Sequence, residues 1–150
     1  MMSTHRLIAS VFGIGYVRKG GGTLAALLCC GLWYGLSVDA FAAGTLLATL
    51  AIGALGVWSS YVVEPAWGKD SSKVVIDEVT GMMVTLLYVP AGIQYVLSGL
   101  LLFRFFDIAK PLFIKKTEQL PGGWGVMMDD ALAGLYANGI LQLVVFFKLF

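Results

Sequence analysis

The sequence predicts an all-α fold: a compact polytopic membrane helical bundle with short helices and a re-entrant or interfacial N-terminal segment. Three observations predict it. Of the 150 residues, 59% are hydrophobic and only 13% are charged, against roughly 25% charged in a soluble domain. Mean hydropathy is +0.86. Apolar runs recur at Leu24–Val38, Phe41–Val63, Val79–Phe106 and Ala131–Phe150. Such a chain is neither disordered, nor fibrous, nor an ordinary soluble enzyme. It reads as one domain over residues 1–150. The net charge of +1 leaves no global nucleic-acid footprint.

Each element follows from local chemistry. The N-terminal stretch carries His5 and Arg6 before Leu7–Phe12, but Gly13 and Gly15 interrupt it and Arg18-Lys19 follow. No small-residue cleavage site follows, so it reads as a retained amphipathic or re-entrant segment rather than a signal peptide. Phe41–Val63 has 23 residues, enough to span a bilayer. Leu24–Val38 has 15 and is short for a span; a turn at Ser37–Ala40 joins the two as an antiparallel pair. Val89-Pro90-Ala91-Gly92 interrupts the third run. Proline breaks or kinks a helix, and the residue before it avoids the helical region. A hairpin of Val74–Tyr88 and Ile93–Ile108 is therefore preferred over a single helix. Gly31-x-x-x-Gly35 matches a helix-contact pattern and is read as intramolecular packing. Cys29 and Cys30 are read as small apolar packing residues, since no CxxC pair or disulfide framework exists.

With the hairpin, Arg6, Arg18, Lys19, Lys69, Lys73, Arg104, Lys110, Lys115 and Lys116 all fall on one side, leaving only Lys148 on the other. The positive-inside rule makes the rich side cytoplasmic. Every acid but Asp39 lies there too.

Charge is scarce, and an ionisable residue in such a chain is a functional candidate. Three acidic clusters meet the charged face: Asp77-Glu78, Asp107 and Asp129-Asp130. Carboxylates held together raise one another's pKa and stay ionised only with cations among them. With no His or Cys beside them, the expected cation is Mg²⁺. Lys73, Arg104 and Lys110 are interleaved with the acids. Carboxylates with Mg²⁺, plus Arg and Lys for the non-bridging oxygens, suit phosphoryl chemistry. Structural readings stand beside this one. Either acid pair could favour a helix N-terminus, and Arg104 with Asp107 could be an i,i+3 ion pair. Gly20-Gly21-Gly22-Thr23 could cradle a phosphate at a helix N-terminus, or be a flexible cap with Thr23 as N-cap. The only His is His5, far from the acids. No His-based phosphatase, catalytic triad, Cys-x5-Arg loop or Asp-x-Asp pair is available, which leaves metal-assisted attack by water.

Three stretches carry a resemblance: Val75–Met82 around Asp77-Glu78, Phe103–Pro111 around Arg104, Asp107 and Lys110, and Gly122–Gly134 around Asp129-Asp130. In this order they resemble phosphatidylglycerophosphatase A, and Gly13–Ala26 extends the likeness. The resemblance implies a multi-pass, Mg²⁺-dependent enzyme of the bacterial cytoplasmic membrane, its active site facing the cytoplasm. Such an enzyme hydrolyses phosphatidylglycerophosphate to phosphatidylglycerol and phosphate. By motif, Asp77, Glu78, Asp107, Asp129 and Asp130 are the expected catalytic acids and metal ligands. Asp70 matches a further acid that such sequences carry ahead of the Asp-Glu pair, and is included in the metal set. Arg104, Lys110, Lys73 and Thr23 are the expected substrate contacts. Ser71 stands where proline is usual, and Arg18–Leu24 departs from the family's Pro-Gly-Thr-x-Gly-Ser-Leu. Phospholipid and membrane are the expected partners, nucleic acid is not, and a homo-oligomer is open. The alternatives are a phosphatase of another lipid phosphomonoester and a small membrane cation transporter.

Overall fold

A computed structural model describes residues 2–150. Among these residues the chain forms seven α-helices: α1 Met2–Ala9, α2 Gly21–Gly35, α3 Ala43–Trp67, α4 Ile76–Leu86, α5 Ile93–Ala109, α6 Ile114–Thr117 and α7 Gly123–Phe146. A single 3₁₀ turn, Ile14–Tyr16, precedes α2. The expected all-α class holds.

The proline break divides the third apolar run as expected. α4 stops at Leu86, the chain turns through Val89-Pro90, and α5 starts at Ile93. Side chains of α7 satisfy carbonyls that the end of α4 leaves without helical partners. Asn138 Nδ2 donates to the carbonyls of Thr85 (2.9 Å) and Leu87 (2.7 Å), and Gln142 Nε2 to that of Tyr88 (2.9 Å).

The short α4 is the centre of the bundle. It packs on α7, α2, α3 and α5, and most extensively on α7. Glycines permit that last contact: a Cβ on Gly134 would run into the Gly81 carbonyl, and one on Gly81 into the Asp130 carbonyl, as well as into the Phe103 ring of α5. The main apolar cluster gathers Met82 and Leu86 of α4 with Phe103 of α5, Ala133 and Ala137 of α7, and Ala26, Cys29, Cys30 and Trp33 of α2. The two cysteines are thus buried packing residues, as expected.

Two expectations fail. α2 does not lie along α3 as an antiparallel pair; each packs on α4, and α3 packs otherwise on α1 and α7. The reason is that α3 turns its small residues to other helices: a Cβ on Gly56 would strike the Met127 side chain of α7, and one on Gly53 would touch Thr80 of α4. Nor do Gly31 and Gly35 make a close intramolecular contact, because a Cβ on either would meet nothing within 4 Å.

The N-terminal segment is a short helix against α3. His5 is buried, its Nδ1 3.3 Å from Ser59 Oγ and its ring edge-on to Trp58. One described helix, α3, is long and apolar enough to cross a membrane; α2 is apolar but shorter. Large apolar side chains stay exposed along the outer faces, including Leu50 of α3, Leu101 of α5 and Leu143 of α7.

Candidate metal and phosphate site

Four helix ends meet at one end of the bundle. The N-termini of α2, α4 and α7 and the C-terminus of α5 surround a pocket of about 260 Å³, which Asp70–Ser72 closes from the α3–α4 loop. Asp77, Glu78, Arg104, Asp107, Lys110, Asp129 and Asp130 all line it. The three acidic motifs, separated in sequence, share one space. All five motif acids lie outside the four apolar runs.

Local structure explains each position. The Val75 N–H donates to the Ala9 carbonyl (2.9 Å), anchoring the start of α4. Asp77 and Glu78 then occupy its first turn, where the helix dipole favours negative charge. Arg104 and Asp107 form an ion pair one turn apart near the end of α5. Lys110 takes a left-handed conformation (φ 46°) at the C-cap of α5. From there its ammonium reaches Asp129 (3.0 Å) and Glu118. Glu118 is a partner that the sequence did not suggest.

The acids divide into two groups. Oxygens of Asp77, Glu78 and Asp130 all lie within 4.8 Å of one another. Asp77 Oδ1, Glu78 Oε2 and Asp130 Oδ2 are buried and have no hydrogen-bond partner. Asp129 instead faces Lys110, and its Oδ1 accepts the N–H of Asp130 (2.9 Å). Adjacent helical residues point about 100° apart, so one Asp joins the cluster and its neighbour joins the lysine. Asp107 is held by Arg104, and Asp70 lines the pocket without joining the close trio.

Electrostatics follow this division. Burial pushes the Asp77 carboxyl well above the ordinary carboxylate range, and Glu78 and Asp130 push it further. Burial likewise raises Glu78, with the charge of Asp107 adding to the rise and Arg104 opposing it. Burial raises Asp130, with Asp107 and Glu78 adding to it. Asp129 is raised by burial to about 6, the Lys110 bond opposing the rise. Burial works against charge on Lys110, but its bonds to Glu118 and Asp129 outweigh that and raise it above its ordinary value.

Three crowded carboxylates with unpartnered buried oxygens fit a bound cation. Unpaired buried charge is costly, and an oxygen-only donor set suits a hard divalent ion. Asp77, Glu78 and Asp130 are the residues that could hold it.

Two expected substrate contacts are not brought into the pocket. The Lys73 ammonium lies over the Tyr16 and Trp67 rings, 5.9 and 5.6 Å from their centroids, and does not line the space. Thr23 lies within the first turn of α2 and does not line it either; Gly20, not Thr23, is the N-cap. Gly20, Gly21 and Gly22 do form one wall. Gly22 is required by close approach, because a Cβ there would run into the Glu78 carboxylate. Arg18, Ser71 and Ser72 also line the pocket and were not anticipated. Arg18 stands two residues before the Gly20–Gly22 run, and that proximity is the signal in the sequence that could place it here.

Comparison with known proteins agrees with this chemistry. The family model for phosphatidylglycerophosphatase A matches residues 7–145. A Bacteroides thetaiotaomicron protein named "Putative phosphatidylinositol-3-phosphatase" is 41% identical over 138 residues, covering 87% of each chain. The Escherichia coli phosphatidylglycerophosphatase A is 31% identical over 147 residues, covering 96% of this chain and 85% of that one. The Haemophilus influenzae phosphatidylglycerophosphatase A is 30% identical over 155 residues, covering 91% and 86%. No solved structure matches significantly.

Proposed function

The chain belongs to the phosphatidylglycerophosphatase A family of lipid phosphatases, and from that premise we propose that it hydrolyses phosphatidylglycerophosphate to phosphatidylglycerol and phosphate. The observation that carries the reading is the trio of unpartnered buried carboxylate oxygens beside Arg104 and Lys110 in one pocket. Asp77, Glu78 and Asp130 hold Mg²⁺, with Asp70 and Asp107 completing the acidic shell. When bound, the ion supplies Lewis-acid polarisation of the phosphoryl group.

The chain's own residues do the rest. Arg104 and Lys110, already held by Asp107 and by Asp129 with Glu118, present N–H donors to the non-bridging phosphate oxygens. The Gly20–Gly22 wall adds backbone N–H groups at a helix N-terminus. Asp129 takes a proton from the attacking water, since its carboxylate is positioned by Lys110 rather than committed to the metal trio. Water oxygen bonds to phosphorus, the phosphorus–glycerol oxygen bond breaks, and the proton that Asp129 took from the water passes to the departing glycerol oxygen.

The single domain sits in the bacterial cytoplasmic membrane, its apolar runs crossing or entering the bilayer several times. The pocket faces the cytoplasm, where positive charge collects. Exposed apolar side chains on α3, α5 and α7 support immersion in lipid. Acids gathered at helix ends, rather than along a path through the bundle, give a cation-transport reading no support.

A second reading has its own observation. The Bacteroides relative, at 41% identity, carries a phosphoinositide phosphatase name. Both lipids present a terminal phosphomonoester beyond a phosphodiester. Phosphate release from purified protein in detergent, with Mg²⁺ and a panel of lipid phosphates, separates the two. Asp77→Asn and Asp130→Asn are each expected to lower the rate at least a hundredfold, on the order of losing a positioned catalytic group. Retained activity in both variants would overturn the site.

A further inference from the structure

The pocket described above has room for a phosphate, but a lipid phosphatase must also place acyl chains and a glycerol backbone. A series of cavities along the α3–α7 face has the polarity profile of such a molecule. One member, about 280 Å³, is almost wholly apolar and lies against Leu50, Ala54, Val57, Trp124, Met127 and Met128. A second cavity shares Val57 and Trp124 with it and adds Trp58 and Tyr61. A third shares Tyr61 and Gly122 and adds Glu64 and Lys69. Lys69 is followed in the chain by Asp70, also exposed, which lines the catalytic pocket. An apolar groove, an aromatic zone, a lysine and the phosphate site therefore follow one another along this side of the molecule.

Dimensions agree. Leu50 to Tyr61 on α3 spans eleven residue steps, roughly 16 Å at 1.5 Å each. One leaflet of hydrocarbon is about 15 Å thick. Trp58, Tyr61 and Trp124 line the seam yet remain half-exposed or more, as aromatic side chains do at a membrane interface. A glycine keeps the seam narrow: a Cβ on Gly123 would strike the Val57 carbonyl.

We propose that the α3–α7 seam is the tail and backbone site of the lipid substrate. One acyl chain lies between Leu50 and Trp124, the glycerol backbone lies at Tyr61, and Lys69 meets the phosphodiester. The terminal phosphate reaches over the exposed Asp70 into the pocket. The inference rests on the lipid-phosphatase reading above and deepens it.

Two measurements test it. The first is the ratio of kcat/KM for dipalmitoyl over dihexanoyl phosphatidylglycerophosphate. Ala54→Phe fills the groove from an exposed position and is expected to lower that ratio about tenfold. Leu101→Phe, on the outer face of α5, should leave it unchanged. An unchanged ratio in Ala54→Phe overturns the proposal. The second uses phosphatidylglycerophosphate carrying a mid-chain diazirine, photolysed with wild-type protein and mapped by peptide mass. Label within residues 50–61 or 124–131 supports the seam. Label confined to α2 or α5, or no label, overturns it. Failure to hydrolyse any lipid phosphate would instead defeat the underlying reading, and the cross-link reports independently of turnover.

Discussion

At the scale of single residues, the site depends on small differences of direction. Asp129 and Asp130 are neighbours in sequence with different partners: one faces Lys110 and the other faces Asp77 and Glu78. Gly22 shows how little space separates the walls. It lies in the first turn of α2, where alanine would be the better helix former by about 1 kcal/mol. A methyl group there would nevertheless displace the Glu78 carboxylate. Gly22→Ala should therefore leave thermal stability unchanged or slightly higher while lowering the rate of phosphate release about tenfold. A detergent thermal-shift assay paired with initial rates reads both quantities. Equal activity in the folded variant would show that Glu78 need not keep its place. The sequence contained the residues of this contact but not the contact itself. It marked Gly20–Gly22 as a phosphate-loop candidate, yet close approach between α2 and α4 depends on packing that no local pattern encodes. Lys73 failed for the complementary reason. Its charge suggested a phosphate partner, but Tyr16 and Trp67 offer their rings, and the ammonium lies over them.

At the scale of elements, the hairpin of α4 and α5 was legible because proline chemistry is local. Val89-Pro90 ends the helical pattern whatever surrounds it. Which helices become neighbours was not legible in the same way. A short connection between α2 and α3 suggests an antiparallel pair, but α3 directs its glycines towards Thr80 and Met127, and α4 becomes the shared neighbour. α4 is only 11 residues long, so its ends must be fixed from outside. The Ala9 carbonyl holds its start, and Asn138 and Gln142 hold its finish. Asn138→Leu would leave the Thr85 and Leu87 carbonyls without these donors. Losing bonds to buried backbone groups costs about 1–3 kcal/mol. Asn138→Leu should thus lower the unfolding midpoint in detergent without changing cation affinity per folded molecule, because the bonds lie at the opposite end of α4 from Asp77. A midpoint within error of wild type would show that water replaces the amide.

At the scale of the whole molecule, scarce charge and abundant apolar surface serve one arrangement. The apolar runs fix the helices in place, and their ends bring carboxylates from α4 and α7 together at a cost that the bare chain must bear. α4 and α7 share the most extensive contact in the fold, so strain between Asp77, Glu78 and Asp130 falls on its central packing. A cation bound among these oxygens acts on the folded chain and not on the unfolded one. At a concentration a hundredfold above its dissociation constant, such a ligand stabilises by about 2.7 kcal/mol. Magnesium should therefore raise the unfolding midpoint of the wild-type protein, and excess chelator should return it to the metal-free value. Asp130→Asn removes one charge from the crowded trio and one ligand from the cation. In detergent without metal it should unfold at or above the wild-type midpoint, and magnesium should raise it little. This opposite response, steadier when bare and insensitive when loaded, separates a metal site from a merely structural acidic cluster. A structural cluster would lose stability on Asp130→Asn with or without the ion.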